Sequence, residues 1–190
     1  MCFYVYDSSK RLASNRPQLG LIMASVNLNG EPSNLVGALP KDGQSVPDFN
    51  LVLPDMKTVS LDTFAGKNIV LCSIPSIDTP VCAKETKIFN EKVGHRLDSV
   101  VLVVSKDLPF ALKRYCAAEG VRNVVTGSAF RDATFAKDYG VELADGPLEG
   151  LCARAVFLID KKGVLQYHEL VSEIGHQPDY DKVIEELDKI

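Results

Sequence analysis

One cysteine, Cys82, stands where a thiol could act as a nucleophile. It follows Thr79 and Pro80, just after an apolar run that ends at Ile74. Threonine favours the N-cap of a helix and proline its first position, so the pattern predicts a helix that begins at Pro80. The sulfur would then meet the unpaired N–H groups and the positive dipole end of the first turn, which favour thiolate over thiol. The alternative is that Cys82 is a small buried apolar residue, as many free cysteines are.

The cysteines as a set do not indicate a disulfide framework or a metal site. There are five, an odd number, with gaps of 70, 10, 34 and 36 residues: Cys2, Cys72, Cys82, Cys116 and Cys152. Secreted disulfide domains usually carry an even set, and zinc ribbons and dithiol redox motifs use Cys-x-x-Cys, which this sequence lacks. The pattern therefore predicts reduced thiols and a cytoplasmic protein. It leaves open whether any single thiol has a special reactivity.

The composition predicts an ordinary globular domain. The chain has 190 residues, 46% of them apolar and 24% charged, and a net charge of -4. Its length suits one hydrophobic core, and its mild acidity argues against nucleic acid or an anionic membrane as the main partner. The strongly apolar run Val100–Val104 has five residues, whereas a membrane-spanning helix needs about 20.

The elements that must position Cys82 form an α/β pattern. Continuous apolar content predicts buried strands at 69–74 and 100–105, with the helix at 80–93 between them. Further elements are predicted as a hairpin at 25–38 with an Asn29-Gly30 turn, a strand near 49–53, a short segment at 59, a helical turn at 61–65, a helix from Pro109 to Gly120, a strand at 124–125, a helix at 133–139, paired strands at 155–159 and 164–171, and a last helix opened by Pro178 and Asp179. This order predicts a mixed central sheet with helices on both faces and an N-terminal β-hairpin.

Residues 1–24 differ from the rest of the chain. They show no clear amphipathic period, and their only apolar stretch is too short for a signal sequence. We expect them to be a disordered or non-native extension before a start near Met23. The remaining residues, 25–190, are predicted to form one domain.

Three motifs resemble those of peroxiredoxins. Pro75, Thr79 and Cys82 give the spacing Pro-x-x-x-Thr-x-x-Cys at a helix opening, which resembles the peroxidatic motif of that family. Residues 105–120, with the sequence SKDLPFALKRYCAAEG, are similar to the segment of the bacterial thiol peroxidase subfamily that carries the resolving cysteine. Residues 144–155, with the sequence ADGPLEGLCARA, resemble the loop and strand that present its active-site arginine. The likeness runs from residue 25 to residue 190.

This resemblance implies a thioredoxin-like fold and a role for each matched residue. Cys82 would be the peroxidatic cysteine and Cys116 the resolving one. Arg154 would hold the thiolate and the peroxide oxygens, Thr79 would donate a hydrogen bond, and Pro75 would shield the sulfur. The implied substrates are hydrogen peroxide and organic hydroperoxides. The implied partners are thioredoxin or a similar dithiol reductant and a second copy of the chain in a homodimer, with no metal, haem or flavin.

Other interpretations stay open from the residues alone. Arg154 is otherwise a charge at a strand entry, and Cys116 a packed helix cysteine. Cys72 is predicted to be buried and structural, as is Cys152, although Cys152 precedes Arg154 by two residues and could point to the same side of a strand. The chain could also be a redox sensor or relay that passes a disulfide to a partner. A dithiol reductase is disfavoured because Cys-x-x-Cys is absent.

Overall fold

A computed structural model describes residues 22–190 of the chain. Its strands are β1 Ile22–Leu28, β2 Glu31–Val36, β3 Leu51–Val52, β4 Thr58–Val59, β5 Asn68–Ser73, β6 Ser99–Ser105, β7 Val125–Ser128, β8 Glu142–Leu143, β9 Ala155–Ile159 and β10 Leu165–Leu170. Its helices are α1 Pro80–Lys92, α2 Pro109–Glu119, α3 Phe135–Asp138 and α4 Tyr180–Leu187, with a 3₁₀ helix at Leu61–Phe64. Within the described residues, no helix has both the length and the apolar character that a bilayer crossing needs.

Seven strands form the central sheet, in the order β10-β9-β5-β6-β7-β3-β4. The pairs β5–β6 and β6–β7 are parallel, whereas β9, β10, β3 and β4 pair antiparallel to their neighbours. The predicted α/β class with a mixed sheet is therefore confirmed.

Two cores lie on opposite faces of this sheet, because successive side chains of a strand point to opposite sides. One face packs against α1, α2 and α4, and the other against α3 and the N-terminal hairpin. We call the first the three-helix core, whose members include Val70, Cys72, Phe89, Leu112 and Val183. We call the second the hairpin core, whose members include Val26, Leu35, Ile69, Leu71 and Phe135. Helices thus cover both faces, as predicted.

The N-terminal hairpin is confirmed, with one partner that the sequence did not indicate. Asn29 and Gly30 both have positive φ, at 55° and 83°, which a tight two-residue turn requires. Strand β1 begins at Ile22, earlier than the predicted 25, and β2 also pairs with β8. The predicted extension lies outside the described residues except for its last three positions.

Strand β3 is shorter than the predicted 49–53, for a visible reason. The Phe49 N–H donates to the Asp48 carboxylate at 2.8 Å, and the Asn50 N–H donates to Asp132 at 2.8 Å. Two backbone donors that a longer strand would give to a neighbour are taken by carboxylates, so the ladder is confined to Leu51–Val52.

The topology brings three chain segments to one edge of the sheet. Strands β5 and β6 are parallel, so the loops that lead from them into α1 and α2 leave at the same edge. Strand β9 is antiparallel to β5, with Ala155 opposite Ser73, so the residues just before β9 reach that edge as well. Cys82 and Arg154, far apart in sequence, are thereby placed next to each other.

Candidate active site

Cys82 lies in the first turn of α1. The helix begins at Pro80, as predicted, and Thr79 is its N-cap: the Thr79 hydroxyl oxygen accepts a hydrogen bond from the Cys82 N–H at 3.3 Å. The Cys82 side chain is fully buried. A buried sulfur at a helix N-terminus is close to the positive end of the helix dipole, which favours negative charge there.

Arg154 supplies a full positive charge to that sulfur. Its Nη2 lies 3.2 Å from Cys82 Sγ, although 72 residues separate the two in sequence. Arg154 is 1% exposed, so water screens the interaction poorly. A thiolate and an arginine in this arrangement form a charge-assisted contact.

The other two nitrogen atoms of the guanidinium group fix the orientation of Arg154. Its Nε donates to the Ile174 carbonyl at 3.2 Å, and its Nη1 pairs with the Glu85 carboxylate. Burial by itself would lower the pKa of Arg154, but the negative charges of Glu85 and Cys82 outweigh burial and raise it. The arginine is therefore charged, and two of its three nitrogens are already occupied by protein groups other than Cys82.

Glu85 is a site residue that the sequence analysis missed. It is fully buried, and its Oε1 has no hydrogen-bond partner among the described residues. Burial raises the pKa of Glu85 to about 7, although the charge of Arg154 opposes that rise. A signal existed in the sequence: Glu85 follows Cys82 by three residues, so in a helix the two share a face.

The Thr79 hydroxyl makes a different hydrogen bond from the predicted one. Its proton goes to the Ser76 carbonyl at 3.1 Å, while its oxygen accepts from the Cys82 N–H. A hydroxyl has one proton to donate, so in this arrangement it does not donate to the sulfur. The position of Thr79 beside Cys82 agrees with the motif, but its role here is that of a helix cap.

An apolar cavity of about 190 Å³ opens beside Arg154. Pro75 and Thr79 line it, together with aliphatic side chains from α1, the hairpin, the loop before β9 and the segment between β10 and α4: Val81, Leu28, Leu148, Leu151 and Ile174. Ile77, Val81 and Phe110 are apolar residues of the matched motifs that could contact an apolar substrate, and of these Val81 lines the cavity. Ile77 is buried in the three-helix core, and Phe110 is 63% exposed on the surface.

Cys116 lies in α2 and packs against the same three-helix core. It is half-buried, and its Sγ lies 3.9 Å from the Thr126 hydroxyl. Burial raises the pKa of Cys116, partly offset by that hydroxyl. The two helices touch through the Tyr115 hydroxyl, which donates to the Ala83 carbonyl at 2.7 Å. Both Cys82 and Cys116 are free thiols in this structure.

The other two described cysteines are buried, on opposite faces of the sheet. Cys72 belongs to the three-helix core with Cys82, and burial raises its pKa well above the ordinary value. Cys152 belongs to the hairpin core, and burial raises its pKa to about 12. The idea that Cys152 could share a strand side with Arg154 is wrong, because β9 begins only at Ala155 and strand alternation does not extend back to Cys152. Cys2 lies outside the described residues.

Comparison with known proteins identifies the family of this chain. The family model described as Redoxin matches residues 41–184. The chain belongs to the redoxin family. This redoxin is 48% identical over 164 residues to a thiol peroxidase of Leptospira interrogans, covering 85% of the chain and 96% of that protein. It is 47% identical over 165 residues to a thiol peroxidase of Mycobacterium bovis, covering 87% and 99% respectively.

Solved structures give the same assignment for the fold. A peroxiredoxin-like protein from Aquifex aeolicus superposes on this redoxin with a TM-score of 0.83 at 41% identity, covering 87% of this chain and 96% of that one. The predicted thioredoxin-like fold of the peroxiredoxins is therefore confirmed. With curated thiol peroxidases at this level of identity, this redoxin is a peroxiredoxin-type peroxidase, an enzyme that uses a peroxide substrate and a thiol reductant.

Proposed function

We propose that Cys82 is the peroxidatic cysteine, Cys116 the resolving cysteine, and thioredoxin or a similar dithiol protein the reductant. One observation carries the proposal: the Cys82 sulfur is buried in the first turn of α1, 3.2 Å from the Arg154 guanidinium. Of the four described cysteines, Cys82 combines a helix N-terminus with a buried arginine. Both features stabilise a thiolate, which is the reactive form in attack on a peroxide.

In the first step, the Cys82 thiolate attacks the terminal oxygen of a hydroperoxide. A sulfur–oxygen bond forms and the O–O bond breaks, giving a sulfenic acid and an alkoxide, or hydroxide from hydrogen peroxide. The leaving oxygen takes a proton from solvent and departs as alcohol or water. Arg154 stabilises the negative charge as it moves from sulfur to the leaving oxygen. Cys82 is oxidised by two electrons and the peroxide is reduced by two.

In the second step, the Cys116 thiol attacks the Cys82 sulfenic acid, a disulfide forms and water leaves. Both cysteines sit in helices, and bridged cysteines need Cα atoms within about 7 Å of each other, so the start of α1 or part of α2 must open. A dithiol reductant then exchanges with the disulfide, which restores two thiols and leaves the reductant oxidised.

The apolar cavity supports organic hydroperoxides as substrates alongside hydrogen peroxide. Its volume of about 190 Å³ is several times the roughly 30 Å³ that one water occupies in the liquid. Hydrogen peroxide is scarcely larger than water and would leave most of this space empty. Leu28, Val81, Leu148 and Ile174 would instead contact an alkyl or lipid chain whose peroxide group lies at Arg154.

A redox relay is the second candidate for the same chemistry, since a disulfide made by Cys82 and Cys116 can be passed to a partner protein. Trapping mixed disulfides in a Cys116→Ser variant separates the two: recovery of thioredoxin alone counts against a relay.

The family resemblance also favours a homodimer, which sedimentation of the reduced protein tests. A cytoplasmic location is proposed from the cysteine pattern and is tested by fractionation.

The experiment that tests the proposal compares Cys82→Ser with Cys116→Ser in a thioredoxin-coupled peroxide assay. We expect Cys82→Ser to lose both peroxide consumption and turnover. We expect Cys116→Ser to consume about one equivalent of peroxide and then stop, because its sulfenic acid cannot be resolved within the chain. Cys72→Ser is the matched control, since it removes a buried thiol from the same core. Full multi-turnover activity in Cys82→Ser would rule the proposal out.

A further inference from the structure

Asp107, in the loop between β6 and α2, ties three chain segments together. Its Oδ1 accepts a hydrogen bond from the Ser76 hydroxyl at 2.8 Å. Its Oδ2 accepts from the Ile77 N–H at 2.7 Å and from the Ser105 hydroxyl at 2.7 Å. Its backbone carbonyl accepts from the Ser128 hydroxyl. One residue therefore connects the loop that leads to Cys82 with the ends of β6 and β7.

The hydrogen bonds continue from Asp107 to Cys82. The peptide group between Ser76 and Ile77 is fixed on one side by the Asp107 carboxylate. On the other side, the Ser76 carbonyl accepts from both the N–H and the hydroxyl of Thr79, each at 3.1 Å. The Thr79 oxygen in turn accepts from the Cys82 N–H at 3.3 Å. The cap of α1 thus rests on a peptide group that Asp107 holds in place.

Asp107 itself does not touch the reacting atoms. It is not among the residues that line the apolar cavity, and no hydrogen bond joins it to Cys82 or Cys116 among the described residues. The hydrogen-bonded route from Asp107 to Cys82 therefore runs through Ser76, Ile77 and Thr79.

We infer that Asp107 is a positioning residue that holds Cys82 in its reactive place facing Arg154 and thereby opposes the opening that disulfide formation needs. The inference rests on the proposed roles of Cys82 and Cys116. The same anchor acts in opposite directions on the two steps. Peroxide attack needs the first turn of α1 intact, because small displacements from a reactive geometry cost large factors in rate. Formation of the disulfide needs that turn, or its contact with α2, to be released.

The test measures the two steps separately for Asp107→Ala. The oxidation rate of Cys82 by hydrogen peroxide is measured in a Cys116→Ser background, by acid quench and intact mass. Disulfide formation after oxidation is measured in the background that keeps Cys116. We expect Asp107→Ala to slow oxidation about tenfold, through loss of alignment at the sulfur. We expect disulfide formation to be as fast as in the unmodified chain, or faster.

Two milder variants keep the test decisive if Asp107→Ala folds poorly. Asp107→Asn retains one oxygen, which can still accept from the buried Ile77 N–H, and should fall between the unmodified chain and Asp107→Ala. Ser76→Ala removes one of the contacts of the Asp107 carboxylate, together with the hydrogen bond that the Ser76 oxygen accepts from the exposed Asp78 N–H at 3.2 Å, and should slow oxidation by less. Both variants should form the disulfide at least as fast as the unmodified chain. Slower oxidation without slower disulfide formation is a pattern that general loosening of the fold does not produce.

Asp78→Ala is the matched control, because Asp78 also joins the Cys82 loop to α2. It pairs with Arg114 at 3.2 Å, but both side chains are exposed, and such pairs contribute little. We expect its oxidation rate to stay within about twofold. An unchanged oxidation rate in Asp107→Ala, or equal slowing of both steps in all Asp107 and Ser76 variants, would overturn the inference. Turnover in Cys82→Ser would instead overturn the proposed function on which it rests.

Discussion

Cys82 and Cys116 lie in neighbouring helices on the same face of the sheet, in very different surroundings. Cys82 is fully buried in the first turn of α1, with the Arg154 guanidinium 3.2 Å from its sulfur. Cys116 lies far along α2, is half-buried, and has a neutral hydroxyl, that of Thr126, as its polar neighbour at 3.9 Å. Burial raises the pKa of Cys116. The nearby positive charge of Arg154, rather than solvent exposure, distinguishes Cys82, the thiol proposed to react first, from Cys116, the thiol proposed to react second.

Removing the positive charge of Arg154 should abolish this difference between Cys82 and Cys116, and we expect it to have the largest effect of the predicted changes. We expect Arg154→Gln to slow oxidation of Cys82 by about 10²–10³-fold, because the charge that develops during O–O cleavage then lacks its main stabiliser. Rapid mixing with hydrogen peroxide in a Cys116→Ser background measures the rate. Arg114→Gln, which removes an exposed arginine near the same loop, is the control and should stay close to the unmodified rate. A loss of less than about tenfold in Arg154→Gln would mean that the guanidinium is not the main stabiliser.

Glu85 shares Arg154 with Cys82, and its titration should appear as a pH dependence of stability. Burial raises its pKa to about 7 from an ordinary 4.5, so between these pH values the folded state holds a proton that the unfolded state releases. The folded protein therefore loses stability as pH rises through this window, by at most about 1.4 kcal/mol per pH unit. A Glu85→Gln variant has no carboxyl group at this position and therefore should not lose stability in this way as pH rises.

We accordingly expect the stability of Glu85→Gln, relative to the parent chain, to increase from about pH 5 to about pH 7. Urea denaturation in a Cys82→Ser background measures it without a contribution from that thiol. If the stabilities of the two chains changed equally with pH between about pH 5 and about pH 7, Glu85 would not titrate in this window.

Removing the N-cap hydroxyl of α1, that of Thr79, should have the smallest effect. Thr79→Val keeps the shape of the side chain but removes the oxygen that accepts from the Cys82 N–H, at a cost of about 1 kcal/mol. Thr79→Ser keeps that oxygen and should retain most of the stability. Urea denaturation of the two reduced variants provides the comparison. Equal stability of both would contradict the assignment of Thr79 as a cap that supports the first turn.

The features that were predictable from the sequence are mostly local. Thr79 and Pro80 determine where α1 begins through their own backbone preferences, and continuous apolar runs indicate β5 and β6. The contact between Arg154 and Cys82 is not local. It depends on how β9 pairs with β5, so only the family resemblance pointed to it before the structure.

The features that were missed depend on tertiary contacts. Strand β8 has two residues and exists through its pairing with the hairpin, so no run of residues marks it. Glu85 carries a helical signal, but a glutamate on a helix is usually exposed, and only the buried Arg154 makes its burial tolerable. Which carbonyl takes the Thr79 proton depends on the loop that Asp107 anchors, which spacing alone does not reveal.

The most direct test of the two-cysteine account is intact mass of the reduced protein before and after one equivalent of hydrogen peroxide, followed by peptide mapping. The account predicts loss of two hydrogens and a single new bridge between the peptides that contain Cys82 and Cys116. A bridge that involves Cys72 or Cys152, or a stable sulfenic acid on Cys82 with Cys116 still reduced, would contradict it.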